Sequence, residues 1–188
     1  MGLIRTSQPD AIVTVTDVKD HLRIDGTEDD RTLPTFIAAA TEYVEGETGQ
    51  ALAEADYTLT LDSFPIERSI PLPRPPLKRV NAVTYTDTDG QTQTLPAAAY
   101  TVDDANRPGR LVLKPGHAWP TTTGEANSVR VDFTAGPETL PFLLRQAVLL
   151  MTGHFFEFRE AAGDRRVTTV PLAVESICDQ HRFTEVQG

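Results

Sequence analysis

The sequence predicts an α+β fold: a helical bundle formed by the N- and C-terminal helices, with a small antiparallel β lobe inserted between them. Three observations carry this. Apolar residues recur at helical spacing near both ends, at Leu33, Ile37, Ala40 and Val44 and again at Leu144, Ala147 and Met151. Between them, from Tyr57 to Ala135, the pattern turns to period two, with many Thr and Val and repeated Pro and Gly. The length of 188 residues, 39% apolar and 23% charged, allows a real core in one domain or two small ones. The chain then divides into an N-terminal helical part (13–55), an inserted β region (56–136), a C-terminal helical part (137–183) and a tail (184–188).

The first helix is expected from about Asp17 to Ile24, capped by the Thr16 hydroxyl and stopped at Asp25-Gly26-Thr27. The second is expected from Asp29 or Asp30 to Gly49. Pro34 is tolerable near its first turn, and Gly49 suits the left-handed cap. Strands follow at Tyr57–Leu61, Val80–Thr86, Gln91–Leu95, Tyr100–Val102, Arg110–Leu113 and Ser128–Phe133. Asp87-Thr-Asp-Gly90 reads as a hairpin turn. A long helix is expected from Thr139, its cap, to about Glu160, with Pro141 in the first turn. Leu140, Leu144, Ala147, Met151, His154 and Phe158 form its stripe. Leu143, Val148, Leu150, Phe155 and Phe156 make it apolar almost all round. Such a helix is central in its domain or shared between subunits. A polar loop (160–166) leads to a last short helix from Pro171, with Val174, Ile177, Cys178 and His181 on one face.

Acids outnumber bases 27 to 17, giving a net charge of −10 and a pI near 4.8. That argues against a protein that coats DNA and against an anionic membrane surface as partner, since both need clustered Lys and Arg. Residues 1–56 hold twelve acids against four bases, a solvated acidic face or one that repels something acidic. No apolar run reaches the ~18–20 residues of a membrane span, and Met1 to Asp10 lacks a signal-peptide layout. The lone Cys178 excludes an internal disulfide and a Cys-built zinc cage, so a reducing cytoplasm is the expected site of synthesis.

No motif supports catalysis, a metal or a cofactor. His154 and Glu157 lie one helical turn apart, but a zinc or di-iron site wants further ligands. Asp87-x-Asp89-Gly90 opens like a calcium loop, yet the twelfth position is Ala98 and not Glu. Pro71-Leu-Pro-Arg-Pro-Pro76 is a stiff edge segment before it is a polyproline ligand. Phosphate loops, nucleophile elbows and dinucleotide fingerprints are missing. One alternative function is a ligand- or peptide-binding module that works through the β lobe.

Six segments in order carry a likeness. They are Val15-Thr-Asp-Val-Lys-Asp-His-Leu-Arg-Ile24, Phe36-Ile-Ala-Ala-Ala-Thr-Glu-Tyr-Val44 with Thr48-Gly49, and Ile70-Pro-Leu-Pro-Arg-Pro-Pro-Leu-Lys-Arg-Val80. Gly116-His-Ala-Trp-Pro120, Val129-Arg-Val-Asp-Phe-Thr-Ala-Gly136 and Leu144-Arg-Gln-Ala-Val-Leu-Leu150 through His154 and Glu157 follow. Over residues 13–183 the chain resembles the head–tail connector (adaptor) proteins of tailed phages, prophages and gene transfer agents. The resemblance implies a structural virion protein at the head–tail junction, made in the bacterial cytoplasm, with no enzyme activity and no cofactor. It implies a homo-oligomeric ring of about twelve copies that joins the portal protein to a downstream tail or stopper protein. DNA would pass through this ring without specific binding. The segment from Val170 onward is then expected to dock on the portal or an adjacent subunit through Val174, Ile177, Cys178, His181, Arg182 and Phe183.

Overall fold

The computed structural model describes residues 1–158 and 169–183. The expected loop 160–166 and tail 184–188 lie outside the described residues. The chain forms two compact units. A β unit takes residues 1–9 and 54–138, and a helical unit takes 10–53 and the described residues from 139 on. The architecture is α+β with antiparallel sheets.

The helical unit holds α1 (Val15–Leu22), α2 (Leu33–Thr48), α3 (Phe142–Glu157) and α4 (Leu172–His181). α1 starts two residues before the expected position, because Thr14 and not Thr16 caps it. The Thr14 hydroxyl accepts from Asp17 N at 3.1 Å, and the Asp17 carboxylate accepts from Thr14 N at 2.8 Å. This capping box satisfies two helix-end donors reciprocally. α2 starts at Leu33 and not at Asp29 or Asp30. Pro34 falls in the first turn of α2, where its missing N–H has no helical bond to lose, and upstream of it Thr32 N and Leu33 N donate to Asp29 O in a turn. Gly49 ends α2 at φ +70°, as its sequence position predicted. α3 starts at Phe142 with Pro141 in the cap position, so Thr139 does not cap it. Proline's fixed φ favours that entry, and Arg145 N closes the first turn on Pro141 O.

One apolar cluster fills this unit. Val18 of α1, Leu33, Ile37, Ala40 and Val44 of α2, Leu144, Ala147, Val148 and Met151 of α3, and Val174 and Cys178 of α4 are all buried in it. Thr48 and Thr152 are buried too, their hydroxyls donating to the carbonyls one turn back, Val44 O and Val148 O. The apolar stripe of α3 does not stay buried to its end. Phe142 is 89% exposed, Leu143 49% and Phe158 39%.

The β unit holds two sheets. The first has five strands, in the order β1 (Gly2–Arg5), β2 (Ala55–Leu61), β8 (Val129–Ala135), β4 (Leu77–Thr86) and β5 (Thr92–Thr94). The second has β3 (Ser69–Leu72), β7 (Gly109–Leu113) and β6 (Tyr100–Asp103). All pairings are antiparallel. Register follows burial: Tyr57 pairs with Phe133 and Leu59 with Val131, all facing inward. β4 shifts register twice against β8, between Leu77 and Arg79 and between Val80 and Ala82. Gly109 has no substitute on β7, since a Cβ there would lie 2.4 Å from the Leu77 Cβ. β1 has no counterpart among the expected elements, and β3 was expected only as a stiff edge segment from Pro71, not as a strand. The polyproline segment begins on β3, an edge strand, where Pro71 has no ladder bond to give up.

Candidate functional site

The expected docking helix, α4, is attached to its own unit. Pro171 sets its start, and Val174 N and Glu175 N donate to Pro171 O. Val174 and Cys178, one turn apart, are buried in the helical core, and Ile177 packs half-buried against it. At the far end, Gln50 Nε2 donates to His181 O, and Phe183 N donates to Thr48 O at 2.8 Å. Arg182 pairs with Glu47 at 2.8 Å and with Asp179 at 3.1 Å. Of the six candidate interface residues, Val174 and Cys178 therefore face inward and Arg182 is exposed, with Ile177, His181 and Phe183 between. The outward side of α4 carries Ala173, Glu175, Ser176, Asp179 and Gln180, and its first residue, Leu172, is 81% exposed.

Burial pushes the Cys178 thiol above its ordinary value, and the Glu47 carboxylate adds to that. A thiol so placed is a small hydrophobe with little thiolate to react. Burial likewise raises Tyr43, with Glu47 again contributing.

His154 and Glu157 line a cleft of about 380 Å³ at one end of the helical unit. His21 and Leu22 of α1, Leu150, Gly153 and Phe156 of α3, and Pro171 line it with them. Gly153 lets α1 approach, as a Cβ there would come 2.9 Å from Leu22 Cδ2. Among the described residues no group of three His, Cys, Asp or Glu converges on one point. Asp87 serves its hairpin: one carboxylate oxygen accepts from Asp89 N and Gln91 N, the other from Gln93 Nε2. Those bonds, Gln91 N foremost, hold the Asp87 carboxyl below its ordinary value.

A feature the sequence reading passed over lies in the β unit. Phe64, between β2 and β3, stacks on Trp119 with ring centres 4.9 Å apart and planes 5° from parallel, and meets Tyr85 edge-on at 5.7 Å. Trp119 Nε1 donates to Glu67 O at 2.8 Å. The Arg68 guanidinium donates to Leu113 O at 3.1 Å and Lys114 O at 2.6 Å. The loop is thus braced on both sides of Ile66, whose side chain is wholly exposed. The signal was two aromatic–proline neighbours, Phe64-Pro65 and Trp119-Pro120, bordering strands.

Comparison with curated proteins gives no match. Solved structures do match. One chain of the "neck of empty GTA particle computed with C6 symmetry" has a TM-score of 0.82 and 26% identity, covering 100% of this chain and 98% of that one. A chain of the "virion of native gene transfer agent (GTA) particle" has a TM-score of 0.80 at 25% identity, with the same coverage. A chain of the "neck of native GTA particle computed with C12 symmetry" has a TM-score of 0.76 at 26% identity, again with 100% and 98% covered. The sequence profile of the head completion protein family matches residues 11–182. The resemblance read from six sequence segments and the likeness of the whole fold thus agree, and the chain belongs to the head completion protein family.

Proposed function

We propose that this protein is the adaptor subunit of a ring that joins the portal of a capsid to its tail and continues the DNA channel. The observation that carries it is end-to-end likeness to components of particle necks averaged with C6 and C12 symmetry. Closed cyclic symmetry is what a ring of identical subunits has. The role is structural and needs no catalytic group. We also infer the division of labour expected from the sequence. Residues 13–55 and 137–183 act as one helical bundle, residues 56–136 act as an inserted lobe, and 184–188 form a tail. The single apolar cluster drawn from all four helices supports that reading.

Charge supports a channel role. The helical unit holds sixteen acids against eight bases, the β unit eleven against nine. Surplus acid on a surface facing exiting DNA repels phosphate and keeps DNA from sticking. Docking, to the portal or an adjacent subunit, runs through the segment from Val170 onward. Val174, Ile177 and Cys178 anchor that segment to its own unit, and Gln50, Glu47 and Thr48 hold its end at His181, Arg182 and Phe183, of which Arg182 is exposed.

Deleting the gene tests the reading. The expected product is DNA-filled heads without tails, restored by the wild-type chain, with the chain present in the necks of purified particles. Complete tailed particles from the deletion strain would overturn the proposal.

A further inference from the structure

A ring made by rotation alone joins each protomer to the next through two different surfaces. The helical unit carries two such surfaces at opposite ends of one rigid helix, α3. At 1.5 Å per residue, those ends lie about 22 Å apart.

The N-terminal end projects an aromatic side chain. Phe142 is 89% exposed, and Leu143 beside it 49%. The backbone under them is fixed. Arg145 N closes the first turn on Pro141 O, and the Arg145 guanidinium pairs with Asp17 of α1 at 2.8 Å. An aromatic ring carried on a braced helix loses little freedom when it is covered, so its burial counts toward affinity. The C-terminal end holds the cleft of about 380 Å³, with apolar walls from Leu22, Leu150, Phe156 and Pro171. All of its lining residues belong to the helical unit.

The charges of the two ends are complementary. α3 starts with no side-chain cap and no acid in its first turn. Asp17, which reaches that turn, is held by Thr14 and Arg145. The partial positive charge of the helix start is therefore left without an acid of its own. α3 ends on Glu157, the one formal charge of the cleft. The negative end of its own helix opposes a carboxylate there, and no described residue forms an ion pair with it. Both misfits are relieved when the start of one α3 meets the end of another. Direction agrees with this. The necks that hold similar chains have C6 or C12 symmetry, which relates neighbours by a sixth or a twelfth of a turn. Successive α3 axes then differ by no more than that angle, and an α3 lying along the ring presents its start to the end of its neighbour.

We propose that Phe142 of one copy seats in the α1–α3–α4 cleft of the next copy around the ring, with Glu157 of that cleft against the start of the incoming helix. The proposal rests on the ring reading above. Phe142 acts as the buried centre of the contact, the kind of position at which truncation costs most binding.

Cysteine pairing in assembled particles tests it. Leu143 and the exposed Leu172, which follows Pro171 of the cleft, flank the seated ring from the two sides of the contact. Within one copy they cannot pair. Leu143 and Gly153 of the cleft are about 15 Å apart along α3, and a disulfide needs Cα atoms within about 7 Å. The variant Leu143→Cys/Leu172→Cys, expressed in the deletion strain, is expected to give a ladder of disulfide-linked dimers and higher oligomers when purified particles are oxidised. The two single variants expressed together should give dimers and nothing larger, since the native Cys178 is buried. A double variant that is present in necks but forms no ladder overturns the proposal. In a second arm, Phe142→Asp should melt no lower than wild type as a free protein, because the ring is exposed and an acid suits a helix start. Its incorporation into necks should fall by at least about tenfold, as expected for loss of an interface centre. Normal incorporation overturns the proposal even if the double variant fails to assemble. Phe142→Asp rings that form but do not attach to portals also overturn it, by placing Phe142 on the portal side. A wild-type chain absent from necks would instead defeat the ring reading itself.

Discussion

In the helical unit, polar side chains gather at helix ends and joints; in the β unit they run across the sheet. The Thr14–Asp17 box spans three residues of sequence, and Glu45, buried in α2, accepts from Leu52 N seven residues on. In the sheet, the buried Thr134 hydroxyl donates to Asp56 at 2.6 Å and accepts from Asn81 at 3.2 Å, linking β2, β8 and β4. Those partners are 78 and 53 residues apart. Thr58 donates to Asp132 across 74 residues. The cores differ likewise. Mostly aliphatic side chains fill the helical unit, while the central β2–β8 pair is built on Tyr57 stacked against Phe133 at 5.6 Å. Helix limits are therefore set by near neighbours, and sheet register by distant ones.

The largest effect is expected where either unit receives a charge in its core. Leu144 is 2% exposed among α2 and α3 side chains. Leu144→Asp leaves a carboxylate there with no partner, costing several kcal/mol, a large part of a domain's whole stability. Far-UV circular dichroism should show lost helix at 25 °C, and the strand signal of the β unit tests whether the two units melt separately. A wild-type melting curve for this variant would show that the core lies elsewhere. Phe133→Ala is expected next. It removes a fully buried ring and its stacking partner's contact, at about 3–5 kcal/mol by denaturant titration. A cost below that of a single methylene would mean that the stack does not hold the sheet.

Thr14→Ala probes the local mode of the helical unit and should cost about 0.5–2 kcal/mol. Its pH dependence has a definite sign. Bonds from the Thr14 backbone N–H, then its hydroxyl, then the Arg145 guanidinium hold Asp17 below its ordinary 3.8. A lowered carboxyl stabilises the fold above that value and loses the contribution as pH falls through it. The variant lacks only the hydroxyl's share. The stability gap between wild type and Thr14→Ala should then be full at pH 7 and narrow below about pH 3.8. It does not close, because the bond from Asp17 N to the Thr14 hydroxyl does not titrate. A gap that widens in acid would contradict the capping box.

The same contrast explains what was legible in the sequence. Gly49 ending α2, the Asp87–Gly90 hairpin and the stripe from Leu33 to Val44 are local signals, and each was readable. The first helix was placed two residues late because Thr14 and Thr16 are both plausible caps, and only the geometry chooses between them. β1 was missed because four residues beside the N-terminus show no period until β2, over fifty residues away, pairs with them. At β3 the prolines announced an edge, since none of them can donate to a ladder, but they masked the short alternation of Ser69–Leu72 that makes it a strand. On α4, Val174, Ile177 and Cys178 read equally as a face for a partner or for its own unit, since an apolar stripe does not name what covers it. The braced Ile66 tip depends on Trp119, 52 residues past the Glu67 carbonyl that it holds, and no spacing rule predicts that contact.

The smallest effect tests whether the joint between α1 and α2 is electrostatic. Lys19 Nζ donates to Gly26 O and to Asp30 Oδ1, the latter at 2.8 Å, with side chains 20% and 41% exposed. It ties the turn between the helices to α1. Asp30→Asn keeps the size of the side chain and the carbonyl bond and removes only the charge. Exposed pairs of this kind contribute about 0.2–1 kcal/mol, so the loss should fall in that range at low salt. In about 1 M salt the screening length shrinks to ~3 Å, and wild type and variant should converge. A difference that survives high salt would mean that Asp30 holds the turn by hydrogen-bond geometry, which would bring this joint closer to the sheet's network than to the helix ends.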